Sequence, residues 1–560
     1  MKRILPRLIV ALAALVVGVA GNGSRLPLDD HEVFVARAAE EMLQRGSVIV
    51  PYFNGEPRTA KPPLAYWATM LVDVGGAGNR DHIICEWEAR VPSIIGGVLW
   101  ALATLALGTI LCGRTIGFIG ALLLIGGTGF LTYTHSARPE LLYAMFCTAG
   151  LACFAKSWSM HDTANEAPAP PSAAAAFAWP ALGWIMMGLA VLTKGPQMPL
   201  IMLATWAIGM TAMGEKRHIL RTLRPFSGLV IVAAVALWWF IIMWTGVEGA
   251  GDRMSRETIG RIFQVEGKPL TRIIDPYYFY RIIVLLAPWV VLYVAGLASP
   301  WIREIRMTRG SRLLWWLCAI TIASLHLSLN RRWYYLLPVM APLSVLMAWS
   351  ALAIGEALLE RSRVLVWRAI VLMHIAAGPL ILIYLHGGKP ALLQPSVLTM
   401  TILGAIAAIA AVILLARPRA RESAARGLII TGIVSIALMV CAGLRATFWN
   451  IERFNRRDFS LEVGRSVGGP SDLVLLGNHD DWQQEQYYLH RAIPSYERPD
   501  ALAAAVREAV RGGRSVWVLT NSRKPLQAPL RNVELTEELR RAIEEGEDVT
   551  LWRVDVRPPR

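Results

Sequence analysis

Apolar runs long enough to cross a bilayer recur through the first four fifths of this 560-residue chain, and they limit its fold more tightly than any other feature. A hydrocarbon core about 30 Å thick needs roughly 20 helical residues per crossing. Within it only a helix or a closed barrel satisfies its own backbone groups. Runs of this kind centre near residues 13, 102, 124, 147, 187, 205, 236, 288, 321, 344, 377, 405 and 437, which predicts about thirteen transmembrane helices. Composition agrees, since 55% of the residues are hydrophobic, only 17% are charged and the mean hydropathy is +0.44.

A formal charge of +15 would suit a nucleic-acid partner, but the basic residues are distributed differently. They cluster in MKRILPR, GEKRHILRTLR, WIREIRMTRGSR, LERSRVLVWR and ARPRARESAAR, short loops that fall on one side when the spans alternate. That is the positive-inside pattern of a multi-pass membrane protein. It predicts a cytoplasmic N-terminus and, after thirteen crossings, a segment 448–560 on the outer side. It also places 23–92, 248–280 and 328–333 outside. Residues 1–22 have the look of a signal peptide, yet an uncleaved first span makes every later loop obey the charge rule. The six cysteines lie mostly in or at the ends of spans and show neither disulfide nor zinc spacing.

The expected fold class is therefore an all-α polytopic membrane bundle over 1–447, including the loop 23–92, followed by a small soluble α/β domain over 448–560. In that last region strand-like DLVLLG, SVWVLT and VTLWRVDV alternate with helix-like DALAAAVREAVRGG and TEELRRAIEEG. GNHDDW reads as a solvated loop, and HDTANEAPAPPSAAAA as an inner linker. In the first loop, HEVFVARAAEEMLQRG has a helical apolar spacing that Gly46 stops. VIVPYFNGEP reads as an extended piece with a turn, and KPPLAYW restarts a helix.

The ionisable residues at the outer ends of spans are the candidates for chemistry. Asp29, Asp30 and Glu32 suit helix capping, with Asp30 as N-cap, and a carboxylate there equally suits a general base. Each outer cation reads singly as a snorkelling anchor. Together, Arg58, Lys61, Lys194, Arg331 and Arg332 crowd a face that the charge rule leaves poor in cations, which points to an anionic ligand such as a lipid phosphate. Arg138 and Glu140 open the fourth span as a local ion pair or a functional one. Tyr133, Tyr334 and Tyr335 read as interfacial aromatics.

The order A-x3-EML-x-RG-x-x-IVP-x-x-NGEP-x-x-x-KPPL-x-YW, then SAR-x-E, GLAVLTKGP and R-x-x-Y-Y-x-LP, over residues 28–345, resembles the GT-C-type glycosyltransferases of the bacterial aminoarabinose transferase and protein O-mannosyltransferase group. The resemblance implies a multi-span bundle with a periplasmic C-terminal domain. It implies inverting transfer of a sugar from a polyprenyl-phosphate donor to a lipid acceptor such as lipid A, or to a protein, with membrane lipids as surroundings. The group's first-loop acid pair falls on the DDHE region, with His31 at the usual aspartate and Glu32 beside it, and Asp30 supplying the carboxylate after a small shift. Asp29, Asp30, His31, Glu32 and Glu140 are thus the implied catalytic set. Lys61, Arg58, Lys194, Arg331 and Tyr335 are the implied phosphate-binding set. Ala60 replaces the acid that often precedes KPP, and the loop 248–275 has no histidine, so no metal cofactor is expected. The rival classes are a transporter or flippase for an anionic lipid, which would place its charges at mid-membrane, and a scaffold acting through its terminal domain.

Overall fold

The computed structural model describes residues 4–23, 26–75, 82–160, 172–255, 275–303, 305–327, 331–361, 363–385, 424–453, 456–467, 473–476, 482–490, 492–496, 499–511, 516–521, 533–544 and 547–556. The chain is mostly helical. Its residues form two compact units that do not follow chain order: Met1–Asn22, Thr59–Ala65 and Arg90–Arg445 in one, and Gly23–Arg58, Tyr66–Ala89 and Ala446–Arg560 in the other. The first loop is therefore shared between them.

Seven helices among the described residues are long and apolar enough to cross a membrane: Glu86–Cys112, Glu140–Met160, Ala174–Lys194, Lys216–Gly246, Arg309–Leu327, Trp333–Glu360 and Ala424–Leu444. An eighth is counted if Arg114–Ile125 and Thr128–Thr134, bent by 62°, form one broken span. The expected spans near 13, 205, 288 and 377 fall on shorter described apolar helices, Leu5–Val19, Gln197–Ala212, Tyr277–Leu286 with Val290–Trp301, and Val364–His374. The expected span near 405, most of the linker 161–176, the GNHDD of GNHDDW and most of the loop 248–275 lie outside the described residues.

The helix Leu337–Glu360 is the centre of the first unit. Its residues from Leu337 to Ala351 are all buried, and it packs against Arg114–Ile125, Glu140–Met160, Val290–Ala298 and Arg309–Leu327. Helices in lipid gain little from apolar burial and associate through close packing of small residues. Gly108 and Gly117 show this: a Cβ on Gly108 would lie 2.6 Å from Gly117 Cα, and one on Gly117 would lie 2.5 Å from Thr109 N.

The second unit carries the first-loop helix Asp30–Arg45. Its N-cap is Asp29, one residue before the expected Asp30, because Asp29 and Glu32 make a reciprocal capping box. Asp29 Oδ1 accepts from His31 N and Glu32 N, and Glu32 Oε2 accepts from Asp29 N at 2.8 Å. The helix ends where Gly46 adopts a φ of +64°, as expected. Tyr52–Phe53 and Glu56–Pro57 pair across Asn54-Gly55, both at positive φ, the hairpin turn that this dipeptide favours.

The C-terminal residues of that unit build a five-stranded mixed sheet in the order Ser495–Tyr496, Leu473–Leu476, Val516–Asn521, Glu547–Val556, Val533–Glu544. Phe459, Val463, Trp482, Leu519, Val549 and Leu551 form one core, and Leu502, Val506, Val516, Val518 and Val554 another, so alternate strand residues point to opposite cores. One expectation is corrected. TEELRRAIEEG was expected to be helical, but Val533–Glu544 is an edge strand antiparallel to Glu547–Val556, with two register shifts. Strand pairing overrides the helix preference of its Glu, Arg and Ala residues.

Two outcomes follow from this packing. Gly117→Val overfills a backbone contact and should destabilise the purified protein by about 1–3 kcal/mol, read as a lower unfolding temperature in detergent. Glu485 is fully buried 3.7 Å from Arg456, and burial holds its carboxyl above the usual carboxylate range despite that guanidinium. A raised folded-state value means the folded protein keeps the proton longer, so stability falls as pH rises from the unfolded value to the folded one. Glu485→Gln should remove that loss, and the unfolding temperatures of the two proteins should diverge in favour of the variant as pH is raised from about 4.

Candidate functional site

The first unit gathers its ionisable side chains where spans begin and end. Glu140 is the first residue of the helix Glu140–Met160, and Lys194 is the last of Ala173–Lys194. An acid at a helix N-terminus and a cation at a helix C-terminus each complement the backbone dipole. Gly195 stops the second helix with a φ of +107°, a conformation open to glycine, and Pro196 then caps the helix Gln197–Ala212.

Lys194 Nζ lies 2.8 Å from Glu140 Oε1, with the two side chains 10% and 3% exposed. The ammonium also sits 4.0 Å from the centre of the Tyr334 ring, 5.3 Å from Tyr335 and 6.0 Å from Tyr143. Desolvated cation–π contacts of this kind are worth up to about 2 kcal/mol. Tyr334 and Tyr335 come from the short 3-10 helix Trp333–Leu336, where their rings meet edge to face. Tyr143 ties the site to the helix break, because its hydroxyl donates to Gly195 O at 2.9 Å and accepts from Met198 N at 3.0 Å.

Lys61 and Arg138 also act electrostatically on the Glu140 carboxylate. Glu140 Oε2 makes no hydrogen bond among the described residues. A carboxylate on which Lys194, Lys61 and Arg138 all act marks a place where cations gather, which suits a phosphate. Arg331 is engaged differently: its guanidinium donates to Asp275 O at 2.8 Å and His326 O at 3.0 Å, and lies 3.9 Å from the Asp275 carboxylate.

The remaining expected residues belong to the second unit. Asp29 and Glu32 form the capping box, His31 is exposed, and Asp30 Oδ1 accepts from Gln484 Nε2 at 2.9 Å. Arg58 stacks over Phe34 at 3.8 Å and Phe53 at 5.8 Å. Among the described residues no three His, Cys, Asp or Glu side chains form a group suited to a metal ion.

Two participants were not legible as such. Tyr143 follows Glu140 by three residues and shares its helix face, a spacing that would have flagged it. Tyr334, read as an interfacial aromatic, is the ring nearest the Lys194 ammonium.

No family model matches the chain. Among proteins, it is 26% identical over 319 residues to an uncharacterized protein of Aquifex aeolicus, covering 56% of this chain and 57% of that one. It is 23% identical over 397 residues to undecaprenyl phosphate-alpha-4-amino-4-deoxy-L-arabinose arabinosyl transferase 1 of Pseudomonas fluorescens, covering 65% and 64%. The corresponding transferase of Yersinia enterocolitica is 25% identical over 358 residues, covering 61% and 58%. The chain thus spans about three fifths of the length of these curated relatives.

Among solved structures, ArnT from Cupriavidus metallidurans bound to undecaprenyl phosphate superposes with a TM-score of 0.72 at 16% identity, covering 98% of both chains. The Archaeoglobus fulgidus oligosaccharyltransferase in its apo form gives 0.52 at 14%, covering 92% of this chain and 69% of that one. The chain therefore has the fold of these membrane glycosyltransferases, in agreement with the resemblance read from its motifs.

The pair can be tested by stability alone. Removing one partner of a buried ion pair typically costs about 3–5 kcal/mol because the other charge is stranded. Lys194→Met leaves Glu140 with Lys61 and Arg138 nearby, whereas Glu140→Gln leaves three cations together. Glu140→Gln should therefore lower the unfolding temperature more than Lys194→Met, and the double variant should recover part of the loss.

Proposed function

We propose that the protein is an integral membrane glycosyltransferase that moves a sugar from a polyprenyl-phosphate donor to a lipid A-like or protein acceptor on the periplasmic side. The carrying observation is the Glu140–Lys194 pair, with Lys61 and Arg138 acting on the same carboxylate. The similarity to chains named as undecaprenyl phosphate-aminoarabinose transferases supplies the substrate class. In this reading about thirteen spans cross the inner membrane, with the N-terminus cytoplasmic and the C-terminal residues periplasmic. The basic loops support that orientation.

The chemistry follows from charge. An acceptor hydroxyl attacks the anomeric carbon, the new C–O bond forms as the bond to the phosphate oxygen breaks, and the configuration inverts. The hydroxyl proton goes to a carboxylate, and polyprenyl phosphate departs. The donor phosphodiester carries one negative charge, while the departing monoester carries between one and two. Cations gathered at the phosphate bind the more highly charged leaving group more strongly than the donor, which is the differential stabilisation that accelerates a reaction.

Lys61 and Lys194 hold the phosphate, with Arg331, Arg58 and Tyr335 assisting. Asp30 is the acceptor's base, since the capping box occupies Asp29 and Glu32. His31 and Glu140 complete the acid and base groups, with Glu140 holding Lys194 in place. Fixed cations supply the positive charge, so the reaction is expected to run without a metal. A transporter is the weaker reading because Glu140 and Lys194 stand at helix ends.

Purified protein given a radiolabelled polyprenyl-phosphate sugar should consume it in the presence of chelator. Lys194→Ala and Lys61→Ala should each lower turnover about 10²–10³-fold. Wild-type turnover in both variants would remove the assignment, and loss of turnover with chelator would remove its metal-free character.

A further inference from the structure

The helix Gln483–Tyr488 and the residues just after it make a row of contacts to the first-loop segments of the same unit. Gln484, Tyr487 and Tyr488 lie three and four residues apart and so share one helix face. Gln484 Nε2 donates to Asp30 Oδ1 at 2.9 Å, Tyr487 Oη donates to Ile84 O at 2.6 Å, and Tyr488 Oη accepts from Leu28 N at 2.9 Å. Beyond the helix, His490 Nδ1 lies 3.1 Å from Glu40 Oε2, and Ile493 N donates to Asn54 Oδ1 at 2.8 Å.

These contacts differ in kind. Tyr487 and Glu40 are fully buried, and Glu40 also meets Arg37 and Ile84 N, so their bonds hold the unit together. The Gln484–Asp30 bond is exposed to solvent, where a single side-chain contact contributes little to folding. What it does is restrict the carboxylate at the start of the helix Asp30–Arg45, leaving one oxygen fixed and the other available. An amide donor suits this purpose because it orients a carboxylate without neutralising it.

We infer that the helix Gln483–Tyr488 is a positioning element for the first-loop acid cluster, and that Gln484 is the positioning residue for Asp30. The inference rests on the reading that Asp30 takes the acceptor's proton. It gives the C-terminal residues a part in the reaction: they set the geometry of a side chain more than 450 positions earlier in the chain. A correctly oriented base contributes through geometry, and a small misplacement is enough to slow a transfer.

The test uses the full-length protein with a radiolabelled polyprenyl-phosphate sugar and a lipid A acceptor. Gln484→Ala should lower kcat about tenfold with the donor KM and the unfolding temperature unchanged. Gln484→Asn, which keeps a neutral amide donor, should recover part of the activity lost in Gln484→Ala, whereas Gln484→Lys, which places a charge beside the base, should not. Asp30→Asn/Gln484→Ala should be no slower than Asp30→Asn alone, because the glutamine acts only through the aspartate. A wild-type kcat in Gln484→Ala, a loss that multiplies onto that of Asp30→Asn, or wild-type turnover in Asp30→Asn would each overturn the inference. Absence of donor turnover in the wild-type protein would instead overturn the transferase reading, and the inference with it.

Discussion

The buried pair of Glu140 and Lys194 is the constraint on which the first unit is organised. Two charges removed from water are costly, and attraction offsets that cost only when geometry and further polar contacts are good. Here the acid begins one helix and the base ends its packed neighbour, so both backbone dipoles favour the arrangement. Tyr143 then fixes the glycine break after Lys194, and the tyrosines of Trp333–Leu336 cover the ammonium. An ion pair that would be expensive in isolation thereby sets where three helices and one turn meet.

The bundle and the second unit use different means to support their ionisable groups. In the bundle, small residues let backbones approach, and the helix Leu337–Glu360, buried from Leu337 to Ala351, serves as the common partner. In the second unit, polar side chains do the holding. Glu41 accepts from Asn54 N and Gly55 N at 2.7 and 2.9 Å while paired with Arg37, so the first-loop helix and the hairpin are locked by one carboxylate. A buried polar network of this kind specifies a single arrangement because losing a member leaves further polar atoms unpaired.

Much of this was legible in the residues, for identifiable reasons. The membrane bundle follows from apolar run length, the stop at Gly46 from the need for positive φ, and the hairpin from Asn54-Gly55. The grouping of Lys61, Lys194, Glu140 and Tyr335 was carried by motif resemblance. Periodicity and spacing describe each segment by itself, so they contain nothing about which helix ends meet. The strand at Val533–Glu544 was hidden for a related reason: its composition favours a helix, and only the neighbouring strand makes the extended form preferable. The capping position slipped by one residue because LDDHE offers two adjacent aspartates, and only Asp29 has Glu32 three residues on.

We propose that the cations around Glu140 recognise the phosphate of a lipid carrier. The most direct test is a binding comparison on purified protein in nanodiscs, between undecaprenyl phosphate and uncharged undecaprenol, read by native mass spectrometry. The phosphate form should bind, and an excess of the alcohol should fail to displace it. Equal occupancy by the alcohol would contradict the proposal, because the site would then be reading the hydrocarbon chain alone.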